Sequence, residues 1–150
     1  MSLGARLCIC ILATVCSTAL SCKAREPKIP AITGVVKVDG QPLAQADVQF
    51  YLVQGEVAKV IFGGRTDDRG RYRALNPQAG SYRVVVRKYV HKDGTPLSPD
   101  EDPSQFEFQP QLQANVKLAV PAEYADPYKT PLKAEVSGED QTLDFDLKSK

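Results

Sequence analysis

Residues 32–53 read ITGVVKVDGQPLAQADVQFYLV. Ile32 to Val38 is β-branched and mostly apolar, Asp39-Gly40 interrupts the run, and Val48, Phe50 and Leu52 then recur at every second place. A period of two sends successive side chains to opposite faces of a strand, so the second run has one apolar face. Asp-Gly between such runs is a strong turn signal, because both residues tolerate positive φ. These residues predict strand, turn and strand, and with them an all-β chain.

The pattern continues toward the C-terminus. Val57 to Phe62 is an apolar run ended by Gly63-Gly64. Residues 80–90, GSYRVVVRKYV, set Tyr82, Val84 and Val86 against Arg83, Val85 and Arg87. Leu132 to Val136 is another short run, and in Thr142 to Leu147 the residues Leu143, Phe145 and Leu147 alternate with Asp144 and Asp146. Short strands divided by Gly, Pro and Asp turns predict an antiparallel β-sandwich, Ig-like or transthyretin-like, of about seven strands. A helical period shows at most over Ala114 to Tyr124, where Pro121 interrupts it.

Residues 66–72, TDDRGRY, fall between two of these runs. Paired aspartates beside a glycine invite a metal-loop reading, but calcium takes six or more oxygens. Only two carboxylates stand here, and Asp100-Glu101-Asp102 is the run that could add further ligands. Asp67 or Asp68 can instead accept from the backbone two residues on, and Gly70 can take a left-handed conformation. The stretch therefore predicts a hairpin connection, with no metal and no cofactor.

Between Val90 and Leu132 the period is lost and proline is frequent: Pro96, Pro99, Pro103, Pro110, Pro121, Pro127 and Pro131. A structureless loop of about 40 residues is uncommon in a compact domain. Phe106, Phe108, Leu112, Val116, Leu118, Val120, Tyr124 and Tyr128 supply apolar surface to pack it down. The segment 91–131 is expected to be a partly ordered flap inserted before the last two strands. It is expected to contain one extra edge strand or a short helix near Val116 to Tyr124.

The N-terminus reads as an address. In MSLGARLCICILATVCSTALSC, Arg6 precedes an apolar run from Leu7 to Val15, and small residues lead to Cys22. This is the plan of a secretory signal peptide, and the run is short for a membrane span. Ala19-Leu20-Ser21-Cys22 resembles a bacterial lipobox, in which the chain is cut before a cysteine that receives lipid. A lipobox usually has Leu where Ala19 stands and a small residue where Leu20 stands; Ser21 and Cys22 fit. The expected organisation is a lipoprotein signal over 1–21, a tether over 22–31 and a sandwich domain over 32–150. Anchorage is expected through a lipidated Cys22, which places the domain on the exported side, in the periplasm or outer envelope. The four cysteines all lie in residues 1–22, so the remainder has neither disulfide nor cysteine metal site. Residues 1–21 hold one cation, Arg6, and no acid, so their removal leaves 18 of the 19 basic residues against 18 acidic ones. With scattered charge and no basic stripe, nucleic-acid binding is not expected.

Three motifs in order carry a resemblance. Ile32-Thr33-Gly34-Val35-Val36 with Asp39-Gly40-Gln41-Pro42-Leu43-Ala44-Gln45-Ala46-Asp47-Val48, then Thr66-Asp67-Asp68-Arg69-Gly70-Arg71-Tyr72, then Ala79-Gly80-Ser81-Tyr82-Arg83-Val84-Val85-Val86, resemble the carboxypeptidase regulatory-like, or transthyretin-like, sandwich family. The C-terminal part, Val120 to Pro127, Thr130 to Val136 and Phe145-Asp146-Leu147, is similar to small secreted lipoproteins of planctomycete-type bacteria. Gln45 stands where the family usually has Gly. The resemblance implies a sandwich at the cell surface or in the periplasm and supplies no catalytic residue. Tyr82 is expected to pack the core while its hydroxyl finds a partner near the domain end.

No catalytic site is expected. His91 is the only histidine, it adjoins Lys92-Asp93 at a strand end, and no GxSxG nucleophile elbow occurs. The transthyretin-like hydrolases use several histidines and a C-terminal Tyr-Arg-Gly-Ser; this chain has one histidine and ends Leu147-Lys148-Ser149-Lys150. Lys37 and Asp146 hold the positions of an internal isopeptide pair, but alternation turns both to solvent, so a surface ion pair is the expected relation. The flap aromatics Tyr89, Phe106, Phe108, Tyr124 and Tyr128 are the candidate ligand platform; if buried, they pin the flap instead. The sequence thus predicts a non-enzymatic, lipid-anchored module with a structural or protein-interaction role. The alternative is a carbohydrate- or peptide-binding module using the flap, with envelope proteins or glycans as partners.

Overall fold

The computed structural model describes residues 28–98, 100–103 and 105–149, without the side chains of Glu107, Phe108 and Pro110. The signal and most of the tether, with Cys22, lie outside the described residues. In chain order the strands are β1 (Ala31–Val38), β2 (Gln41–Pro42), β3 (Asp47–Gln54), β4 (Val57–Arg65), β5 (Arg71–Leu75), β6 (Gly80–Arg87), β7 (Tyr89–His91), β8 (Val116–Leu118), β9 (Lys133–Val136), β10 (Gln141–Thr142) and β11 (Phe145–Leu147). Two one-turn helices, α1 (Gln105–Phe108) and α2 (Pro110–Gln113), and a 3-10 turn (Ala122–Ala125) lie between β7 and β9. The chain is an all-β sandwich.

One sheet is built around β1. Asp39 and Gly40 take φ of 49° and 80°, the two left-handed residues of a two-residue hairpin turn, and fold β2 back on β1. β5 continues that edge antiparallel, with Thr33 opposite Arg73 and Val35 opposite Arg71. On the other edge β10 and β11 run parallel to β1, Thr33 opposite Thr142 and Lys37 opposite Asp146. The run 142–147 is thus not one antiparallel strand. It divides at Leu143-Asp144, where the Asp144 carboxylate replaces a main-chain acceptor and takes the N–H of Val35 at 2.8 Å. Asp140 does the same for Ala31 at 3.0 Å.

The second sheet has the order β4-β3-β6-β9, antiparallel throughout. Alternation holds: Val48, Phe50, Tyr82, Val84, Val86, Ala134 and Val136 point inward and meet Ile32, Val36, Tyr72, Ala74, Phe145 and Leu147 of the first sheet. Phe50 is fully buried and stacks on Phe62 at 4.6 Å between ring centres. Removing a ring so placed costs about 3–5 kcal/mol. Strand β4 continues through Gly63-Gly64 rather than ending there. A Cβ on Gly64 would lie 2.3 Å from Arg73 O, so this glycine lets β4 touch β5 backbone to backbone.

The insertion packs down in two pieces. β7 and β8 pair antiparallel, which makes β7 a separate strand after β6 and supplies the strand expected near Val116. Under them Leu97, Phe106 and Val116, with Tyr89 and Leu112, form a small second core. Farther on, Val120 and Tyr124 join the main core. Residues 125–130 then lie against the outer face of the second sheet, where Arg87 Nε donates to Ala125 O at 3.0 Å and Arg83 to Thr130 O at 3.2 Å. Val85, on that outer face, is fully buried as a result.

Candidate functional site

TDDRGRY is a corner between the sheets, because β5 pairs with β1 and not with β4. It is therefore not a hairpin, although its turn chemistry is as expected. Asp67 Oδ1 accepts from the N–H groups of Arg69 and Arg71, both at 2.9 Å, and Asp67 Oδ2 meets Arg71 Nε at 3.0 Å. These donors, the Arg71 N–H foremost, hold the Asp67 pKa below the ordinary carboxylate value. Gly70 has φ +72° and its carbonyl accepts from Val36 N–H at 2.8 Å. Thr66 is buried; its hydroxyl donates to Leu43 O at 2.7 Å and accepts from Ala46 N–H at 2.8 Å. The motif locks the corner onto both sheets.

Tyr72 ends the motif, and its hydroxyl donates to Leu143 O at 2.8 Å. The tie to the end of the domain that the sequence assigns to Tyr82 is thus made by Tyr72. Tyr82 sits in the core edge-on to Phe62, ring centres 5.1 Å apart. Burial, with the Asp144 charge nearby, pushes the Tyr72 phenol pKa up.

His91 Nε2 lies 3.2 Å from Glu101 Oε2, and that carboxylate also accepts from Ser98 N–H at 2.7 Å. The Ser98 hydroxyl bonds the same carboxylate. Nucleophile activation needs the serine on the imidazole, with the acid behind it; here the acid stands between them and fastens the loop. Glu101 is held below its usual pKa, first by the Ser98 N–H and then by His91. Among the described residues no group of three or more His, Cys, Asp or Glu side chains is arranged to hold a metal. Lys37 and Asp146 are opposite each other and exposed, with Asp146 Oδ2 on Lys148 Nζ at 2.6 Å.

The flap aromatics do not form one surface. Phe106 is buried against Tyr89, ring centres 5.7 Å apart, in the small core. Tyr124 is buried in the main core, where its hydroxyl accepts from Lys148 N–H at 3.0 Å. Tyr128 is 51% exposed and donates its hydroxyl to Glu56 O, across the tip between β3 and β4. The Phe108 side chain, like Cys22, lies outside what is described. Tyr89 and Phe106 thus pack with the small core and Tyr124 with the main one.

A concave surface occurs elsewhere, on the outer face of the first sheet. One depression, of about 490 Å³, is lined by Lys28, Thr33, Arg73, Asp140 and Thr142 among others. A second, of about 400 Å³, shares Thr33 and Thr142 with it and adds Val35, Arg71 and Asp144. Register explains the arrangement. Arg73, Thr33 and Thr142 form one row across β5, β1 and β10, and Arg71 with Val35 begins the next, which the Asp144 carboxylate completes. Guanidinium groups thus line one side and carboxylates the other, with hydroxyls between. Most of the charged groups are held in place: Arg71 by Asp67, Asp144 by Val35 N–H, and Asp140 by Ala31 N–H and an ion pair with Lys28. The Lys28 hydrogen bond, ahead of the Ala31 N–H, keeps Asp140 below its ordinary pKa. Residues 28–31, read from the sequence as the end of a tether, are docked here, with Pro30 O accepting from Asn76 N–H at 3.1 Å. Of these residues alternation sets only Asp144 opposite an apolar face; what sequence reasoning missed was the neighbourhood created by the parallel return of β10 and β11.

No protein-family model matches the chain, and no curated protein matches it in sequence. Among solved structures, the crystal structure of a 9R-lipoxygenase from Cyanothece PCC8801 aligns with 80% of this chain at 15% identity and a TM-score of 0.40. The chain spans 16% of that protein's length. A likeness of that size carries no argument about the activity of this chain.

Proposed function

We propose that the chain is a non-enzymatic sandwich module of the carboxypeptidase regulatory-like kind, lipid-anchored through Cys22, with a structural or protein-interaction role at the cell envelope. The observation that supports this most is the use made of its reactive side chains. His91, Ser98 and Glu101 close a loop on themselves, Asp67 closes a corner, and Tyr72 ties down the last strand segment. Each is spent on architecture. The ion pair between Lys28 and Asp140, which holds the segment 28–31 on the first sheet, is compatible with a tether that leaves from that end. From Cys22 to Lys28 is six residues, about 20 Å of extended chain, so that end of the sandwich stays close to the membrane.

The test is intact mass and membrane fractionation of the full-length protein beside Cys22→Ala. Loss of residues 1–21, a gain of lipid mass and sedimentation with membranes, all absent in the variant, is the expected result. Release of an unlipidated wild-type protein would overturn the anchor and leave a diffusible module.

A further inference from the structure

We propose that the outer face of the first sheet binds an acidic glycan, an oligosaccharide bearing carboxylates, along the groove between β5 and the β10–β11 edge. This goes beyond a structural role and depends on no anchor. Arg73 carries the argument. It is exposed and lines the larger depression, where its charge acts on Asp140 across the groove, yet it makes no direct hydrogen bond or ion pair among the described residues. Its neighbour on the same face, Arg71, is held by Asp67 through Nε, which leaves the outer guanidinium nitrogens directed elsewhere. The fork of one guanidinium can take a carboxylate bidentately, and Arg71, two residues along the same strand face, adds a second positive charge.

The rest of the row suits a sugar. Thr33 and Thr142 offer hydroxyls that make no other side-chain bond among the described residues, each able to donate and accept. Asp144 uses Oδ1 on the Val35 N–H and has a second oxygen for vicinal hydroxyls. Arg71, Asp140 and Asp144 are held in place before any ligand arrives, so their part of the binding loses little ordering entropy. A peptide is the poorer occupant. The groove lies on a sheet face whose main-chain groups are consumed by the ladders, so the amides of an extended peptide would find few partners there. The run from Ala31 to Lys37 is about 20 Å long, room for several sugar rings.

The experiment is calorimetric titration of the full-length protein, in detergent, with tetragalacturonic acid, a neutral galactose tetrasaccharide and a glutamate pentapeptide. Arg73→Ala and Thr33→Val are titrated in parallel; both sites are exposed, and unchanged far-UV circular dichroism checks that the variants fold. The expected result is saturable binding of tetragalacturonate, weakened at least about tenfold by Arg73→Ala and about fivefold by Thr33→Val. The neutral sugar should bind at least about tenfold more weakly than the acid. The proposal is overturned by no saturable binding of tetragalacturonate up to millimolar concentration. It is equally overturned by wild-type affinity in Arg73→Ala, or by glutamate peptide binding as tight as that of the sugar.

Discussion

Replacing Thr66 by valine tests whether the corner is held by one hydroxyl. Thr66 is 4% exposed, and its oxygen is the bond partner of both Leu43 O and Ala46 N–H. Valine keeps the β-branch and nearly the volume but has no oxygen. Ala46 is fully buried and Leu43 nearly so, which leaves the freed N–H and C=O away from solvent. A buried polar group left unpaired costs about 1–3 kcal/mol, so the two together should cost about 2–4 kcal/mol. Thr66→Ser is the control. It keeps both bonds and loses one buried methyl, about 1 kcal/mol. With no tryptophan in the chain, urea unfolding is best followed by far-UV circular dichroism. For an m-value of about 1–3 kcal/mol per molar, valine should lower the midpoint by about 1 M or more. Equal midpoints for valine and serine would refute the reasoning, since the main-chain groups would then have found water or each other.

Gly34→Ala should be more damaging than an ordinary strand substitution. Its Cβ would lie 1.8 Å from Leu143 O, a contact no rotamer relieves, so loss of soluble full-length protein or a stability drop beyond the usual 1–3 kcal/mol of overpacking is expected; wild-type thermal unfolding would show that the β10–β11 junction is not where the structure puts it. Stability should be flat from neutral pH down to about pH 5 and fall below about pH 4. The sign follows from Asp39, Asp67, Asp93, Glu101, Asp126, Asp140 and Asp146, all with folded-state pKa values lowered, chiefly by hydrogen bonds. The unfolded chain therefore binds protons first, so the stabilisation is present above the unfolded-state pKa and lost as pH falls through the folded one. Urea midpoints that rise below pH 4 would contradict it.

Much of the fold was legible because alternation is a local property. Val48, Phe50, Tyr82, Val84 and Val86 declare their face by position alone, and Asp39-Gly40 declares its turn by the φ it needs. What alternation cannot report is which strand lies beside which. Residues 142–147 show a clean period of two whether they run antiparallel as one strand or parallel as two. The deciding feature is a pair of aspartate side chains standing in for main-chain acceptors, an interaction across 109 residues. The same limit applies to TDDRGRY. Within it, the bond from Arg69 N–H to Asp67 and the left-handed Gly70 follow from spacing. Its span between sheets depends on Gly64 meeting Arg73 and on Thr66 reaching Leu43, contacts between segments that no local pattern relates.

The candidate sites divide on the same line. Aromatic residues in a proline-rich segment attract attention as a binding platform, yet such a segment must also bury something to be ordered at all. Phe106 and Tyr124 satisfy that need in two different cores, which is why they do not converge. Arg73 and Thr33, by contrast, carry no signal of a site in the sequence. They become neighbours through the β1–β5 register, and Thr142 joins them through the β1–β10 register. In a sandwich the inner face is written by hydrophobicity, whereas the chemistry of an outer face is written by register. Register here is set by backbone contacts at Gly34, Gly64 and Gly70, where a side chain would collide with a neighbouring main-chain oxygen. A face whose rows are fixed by such contacts holds its polar groups at constant spacing, and that rigidity is what makes the Arg73 row a fair test of recognition.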